Sequence, residues 1–415
     1  MQADLLIYNA AQVLTVASPE GPKRGEAMDD VGLIPDGAVA IRDGRILDVG
    51  PSDELRSQVR AAHSLYAGGY LVLPGFVDPH THLVWAGERA EEFEMRAAGA
   101  DYMEIMAAGG GIMNTVRQTR EAELEDLVRQ SRRRLERMVA HGTTTVEIKT
   151  GYGLTVDDEL KQLAAIHRLQ EESPATLVAT FLGAHAIPAE YEGRAEEYVD
   201  LVMGEMLPAV AEVEAPPRFC DVFCEEGVFT LDQSRQILKA AQALGFELKV
   251  HVDEFSALGG TALAVELGAV SADHLVCTPP EEIELLACSD TIAVALPGTP
   301  FGLGQNEYTP ARAIIAAGGA LALATDCNPG TCWCESMPFM IALACRYMSM
   351  TPAEAICAAT INAAHALGMG DEVGSLETGK RADLILVDAP SYAHLAYRFG
   401  TNLVDMVVIG GQVLS

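Results

Sequence analysis

Leu71-Val72-Leu73-Pro74-Gly75-Phe76-Val77-Asp78-Pro79-His80-Thr81-His82 is the stretch on which the fold turns. It starts as an apolar run of strand length and ends on two histidines two residues apart. Side chains at i and i+2 of a strand share one face. At the C-terminal end of a barrel strand, both imidazoles would aim into the mouth where such barrels do their chemistry.

Seven more apolar runs follow. They are TTTVEI (143–148), TLVATFL (176–182), CDVFC (220–224), ELKVHV (247–252), GAVSADH (268–274), TIAVALPG (291–298) and ALALATD (320–326). Helical patterns lie between them, such as 121–142 and 232–245, the second ending on Gly245 as a helix C-terminus does. Strands alternating with helices predict an α/β chain with a (β/α)8 TIM-like barrel over residues 71–368. A doubly wound open sheet is the alternative. No G-x-G-x-x-G follows the first strand, and Gly109-Gly110-Gly111-Ile112 lacks that spacing.

Both chain ends read differently. AVAIRDGRILDVG is two apolar runs around Asp43-Gly44, and DMVVIGGQVL turns at Gly410-Gly411. Residues 1–70 and 369–415 are therefore expected to build one small β-sandwich domain from both termini.

The chain has 415 residues, 28 basic and 59 acidic, for a net charge of −31. That balance excludes nucleic acid, which needs a basic surface, and docking on anionic lipid. At 49% hydrophobic the chain buries a sizeable core. No run approaches the roughly 18 apolar residues of a membrane helix. No signal peptide is evident, and the nine irregularly spaced cysteines suit reduced thiols, so a cytoplasmic protein is expected. Cys327, Cys332 and Cys334 match no standard zinc knuckle and read as packed or loop thiols. A homodimer is the oligomer to look for. The acidic clusters Glu121–Asp126, Asp157–Glu159 and Glu281–Glu284 are expected to face solvent.

Polar residues collect at the run ends. His185 follows the third run, and His251 ends the fifth with Glu254 three residues on. His274 ends the sixth run, and Asp326 the eighth. A single histidine of this kind is usually a satisfied core residue, but so many on one rim are not coincidence. Histidines and a carboxylate form an N/O donor set that suits zinc or iron. Such a metal lowers the pKa of bound water towards about 7, which points to hydrolysis of a C–N bond. Lys149 reads as a salt-bridged strand-end lysine, with a carbamylated metal bridge as the alternative. One metal ion per chain is expected. Tyr102 and the glycines at 109–111 are a candidate lid.

The segment Pro74–His82 resembles the first-strand motif of the amidohydrolase superfamily, whose plan is a barrel with a split β domain. Ala86-Gly87-Glu88-Arg89, the GGGI run into Thr115-Val116, and Glu147–Gly153 resemble one branch of it. Thr180–His185, Val250–Phe255 and Ala324–Gly330 do so as well. That branch opens the ring of 4-imidazolone-5-propanoate to N-formimidoyl-L-glutamate in histidine degradation. The resemblance implies that His80, His82, His251 and Asp326 bind zinc or iron. It implies that Glu254 and His274 are the acid–base and polarising pair, with Asp326 also catalytic. It places Arg89, Tyr152, His185, Glu254, Asn328, Gly330 and Thr331 around the small anionic substrate. The loop Thr331-Cys332-Trp333-Cys334-Glu335 departs from the branch's pattern. A bidentate arginine suits a propanoate, and Arg89 lies seven residues past His82. Two rivals to this reading are a hydrolase of another ring, such as a purine or hydantoin, and a barrel kept as a binding module.

Overall fold

The computed structural model describes residues 1–99, 104 and 109–414. Each of the eight apolar runs contributes a strand to one parallel sheet, the first through its second half alone. The strands are β1 (Phe76–Asp78), β2 (Thr143–Lys149), β3 (Thr176–Ala184), β4 (Phe219–Cys224), β5 (Glu247–Val252), β6 (Ser271–His274), β7 (Ile292–Ala295) and β8 (Leu321–Leu323). Each pairs with its sequence neighbour, as short strands joined by returning helices must. The seam between β8 and β1 closes just past the strands, at the mouth. Asp326 N donates to His80 O at 3.0 Å, and His82 N to Cys327 O at 3.0 Å. Below it, the buried Asp78 carboxylate takes Thr325 N at 3.0 Å and Thr325 Oγ1 at 2.6 Å. Burial pushes Asp78 up to about 7.

Helices clothe the barrel. Leu124–Ala140 buries Leu127, Val128, Leu135 and Met138 at helical spacing against the sheet. Leu231–Ala243 starts on a Thr230–Gln233 capping box and is followed by Gly245 at φ +92°, the conformation that a C-terminal glycine supplies without strain.

The chain ends meet in a second sheet of eight strands, Gln2–Leu14 to Leu71–Pro74 together with Leu384–Val387, Val404–Ile409 and Gln412–Leu414. Asp43-Gly44 and Gly410-Gly411 turn with both φ values positive, as two-residue hairpins require. Ile7, Val13, Val39, Val72, Leu384 and Leu386 pack on one face of this sheet.

Two expectations need correction. The run 71–78 is not one barrel strand: Leu71–Pro74 pairs antiparallel with Leu384–Val387 in the chain-end sheet, and β1 begins after Gly75. A side chain at Gly75 would meet the Thr144 side chain at 2.3 Å, so the crossing point has room only for glycine. The cluster Asp157–Glu159 does not all face solvent, because Glu159 is fully buried. Of the candidate lid, Tyr102 lies outside the described residues, and Gly109–Gly111 lead into the helix Ile112–Glu121. Among the described residues no helix is long and apolar enough to cross a membrane.

Candidate metal centre and substrate pocket

The mouth brings His80, His82, His251, His274 and Asp326 together. His80 and His82 sit on the extended continuation of β1, with ring centroids 5.3 Å apart. His251 comes from the end of β5 and Asp326 from just beyond β8. Three nitrogens, one from each of His80, His82 and His251, lie within 4.8 Å of one another, and so do donors of His80, His274 and Asp326. His82 Nε2 is 3.4 Å from Asp326 Oδ1 and 3.5 Å from His251 Nε2, and His80 Nε2 is 3.6 Å from Asp326 Oδ1. Donors about 2.1 Å from one tetrahedral centre would stand about 3.4 Å apart, so these spacings fit a shared ion. The His80 Nε2 atom is buried without a hydrogen-bond partner among the described residues. Burial, with neighbouring cations, holds His80 and His82 well below the usual imidazole range, so both present neutral lone pairs.

Two carboxylates lie beneath the rings. His80 Nδ1 lies 2.6 Å from Asp273 Oδ2, and His251 Nδ1 lies 2.9 Å from Asp221 Oδ2. Each leaves the Nε2 side of its imidazole for the mouth, the usual arrangement behind a metal-binding histidine. Neither aspartate stands out as a site residue in the sequence. The available signal was a lone acid inside the apolar run CDVFC, and another one residue before His274.

Lys149 is fully buried among these groups. Its Nζ lies 2.8 Å from both Glu147 Oε2 and Asp221 Oδ2. Burial alone would lower its pKa, but Asp221, Glu147 and Asp273 outweigh it and hold the ammonium protonated. Carbamylation needs a free amine, so the salt-bridge reading stands. Lys249 joins the cluster through Pro79 O at 2.6 Å and Glu147 Oε1 at 3.3 Å.

Glu254 reaches the mouth because Asp253 turns the chain at φ +52° and is pinned by the Thr261 and Thr278 hydroxyls at 2.6 and 3.0 Å. Glu254 Oε1 stands 3.7 Å from His274 Nδ1. Burial, then Asp326 and Glu225, raise Glu254 well above the usual carboxyl range. Burial lowers His274 to about 3, so its ring is neutral. Asp253, His274 and Asp326 all have positive φ, a concentration of unusual backbone at the mouth.

The pocket residues cluster on the same rim. His185 stacks on His82 at 4.8 Å, and its Nδ1 lies 3.0 Å from Gly151 O. Tyr152, 5.3 Å from the His185 ring, is held by its loop: buried Glu159 accepts from the backbone N–H of Gly151, Gly153 and Leu154 at 3.1, 2.9 and 2.8 Å. Asn328 is committed to shaping its own turn, with Oδ1 accepting from Gly330 N and Thr331 N at 2.8 Å each. Arg89 pairs with Glu92 through Nη2 at 2.7 Å, yet both are largely buried at the rim and not on open surface.

A model of the amidohydrolase family matches residues 71–414, and the chain belongs to that family. A model of a bacterial imidazolonepropionase-like composite domain matches residues 37–58. Within the family the chain sits among the imidazolonepropionases. That of Herpetosiphon aurantiacus is 54% identical over 99% of this chain and 97% of its own, and that of Symbiobacterium thermophilum 52% over 99% and 97%. Among solved structures, an adenosine deaminase from Xanthomonas campestris with bound zinc superposes at TM-score 0.71. It is 21% identical and covers 99% of this chain and 93% of its own. The guanine deaminase of E. coli gives 0.73 at 15% identity over 99% and 98%, and both show the shared fold alone.

Proposed function

We propose that the mouth opens the ring of 4-imidazolone-5-propanoate to N-formimidoyl-L-glutamate, with His80, His82, His251 and Asp326 holding one zinc or iron ion. The observation that supports this is the converging donor set with Glu254 and His274 beside it. When bound, the ion supplies a Lewis-acidic centre that lowers the pKa of coordinated water to about 7. Glu254, kept basic by burial, accepts the proton of the attacking water at its carboxylate and returns it to the ring nitrogen as the C–N bond breaks. Neutral His274 donates a hydrogen bond to the oxygen of the attacked carbonyl. His185 and Tyr152 wall the ring, and the Asn328–Thr331 turn closes the far side. Arg89 binds the propanoate. The nine free thiols suit a reducing compartment, and we place the reaction in the cytoplasm.

Metal-replete protein is expected to consume 4-imidazolone-5-propanoate and release formimidoylglutamate, and chelator should abolish turnover. Absence of turnover at about one metal per chain sinks the reading. Arg89→Met should raise KM about ten- to a hundredfold, the worth of a charged hydrogen-bonded pair, with kcat changed far less. An unchanged KM would favour a neutral ring substrate.

A further inference from the structure

The Arg89 guanidinium has two usable edges, and the structure fills only one. Arg89 Nε donates to Glu92 Oε2 at 2.8 Å, and Nη2 lies 2.7 Å from the same oxygen. Glu92 is 5% exposed, in the first turn of the helix Ala90–Ala97, so this is a partly desolvated pair and not a loose surface contact. The Nη1 end lies over Gly330. A Cβ on Gly330 would sit 2.1 Å from Nη1. Among the described residues Nη1 makes no hydrogen bond. Arg96, on the same short helix, donates from Nη2 to Gly330 O at 3.0 Å. Burial, then Arg89, lower the Arg96 pKa, with Glu92 acting against them, so the three charges feel one another. Arg89 and Arg96 thus both lie near the one buried carboxylate of Glu92.

We propose that Glu92 is the positioning residue for Arg89. It occupies the Nε–Nη2 edge, fixes the plane of the guanidinium, and leaves the Nη1 end beside the Asn328–Thr331 turn for the substrate's carboxylate. Gly330 belongs to the same device, because any side chain there would push Nη1 aside. An arginine can serve two carboxylates at once through different edges, so Glu92 orients the clamp without competing for it. This role rests on the reading of Arg89 as the propanoate clamp.

Steady-state kinetics on the metal-replete enzyme test it. Glu92→Ala should raise KM about tenfold, the size of one charge-assisted hydrogen bond, with kcat within about twofold of wild type. Glu92→Gln, which keeps an acceptor oxygen, should recover most of the loss. Gly330→Ala should also raise KM, since its φ suits an alanine and only the arginine tip must move. In an Arg89→Met background Glu92→Ala should add nothing, because the residue acts through Arg89. A lowered KM in Glu92→Ala would show competition and overturn the role. So would an unchanged KM, a loss confined to kcat, or effects that simply add to Arg89→Met. Wild-type enzyme that fails to turn over the propanoate substrate would overturn the proposed function instead.

Discussion

Glu254→Gln is expected to lower kcat by about 10²–10⁴-fold while the protein retains its full metal content. The substitution keeps the size of the side chain and removes only its capacity to take a proton. Glu254 lies next to the donor set without belonging to either close cluster of ligand atoms. Its carboxylate is 3.7 Å from His274 and is raised by burial, which suits a group that accepts a proton in one step and gives it back in the next. Its backbone support should survive the change. Phe255 N donates to Glu225 at 3.0 Å, and Cys277 N to Asp253 O at 2.7 Å, and neither bond uses the Glu254 side chain. KM is expected to move little, since the propanoate is held elsewhere. Kinetics read beside metal analysis decide it. Loss of metal would move Glu254 into the coordination shell, and a kcat within about tenfold of wild type would remove its proton-transfer role.

The site was legible where chemistry follows strand order. His80 and His82 share a face because the strand period is two. His251, His274 and Asp326 stand at run ends, and parallel strands point all their C-terminal ends the same way. No register was needed to see that these residues meet. The supporting residues were not legible, because their partners lie far away in sequence. Asp273 meets His80 across 193 residues, and only the pairing of β5 with β6 brings it beneath the ring. The change of sheet at Gly75 was hidden for the same reason. Pro74-Gly75 marks a break locally, but it does not say which sheet takes the first half. The division comes from Leu384–Val387 taking the first half as an antiparallel neighbour. Glu159 failed differently: an acidic run on a helix normally faces water, and this one residue turns inward to hold the Tyr152 loop.

Lys149→Met is expected to cost about 3–5 kcal/mol of stability, read as a clear fall in the thermal midpoint of the metal-replete protein. The reasoning is one of charge. Glu147, Asp221 and Asp273 share a fully buried cluster with Lys149 and Lys249, three acids against two ammonium groups. Removing Lys149 leaves three against one, and Lys249 cannot replace it at Asp221, because its contacts run to Glu147, Asp273 and Pro79 O. The surplus charge must be met by protonating a carboxyl, and burial has already raised Asp273. A carboxyl raised in the folded state destabilises it only where it must ionise. The deficit should therefore grow as pH rises above the normal carboxyl range and shrink as pH falls back towards it. Asp221 also orients His251, so weaker metal retention is expected alongside the loss of stability. Added bicarbonate should leave wild-type activity unchanged, because an amine held as ammonium cannot form a carbamate. A Lys149→Met protein as stable as wild type at neutral pH would contradict the charge argument. Bicarbonate-dependent activity of the wild type would restore the bridging lysine.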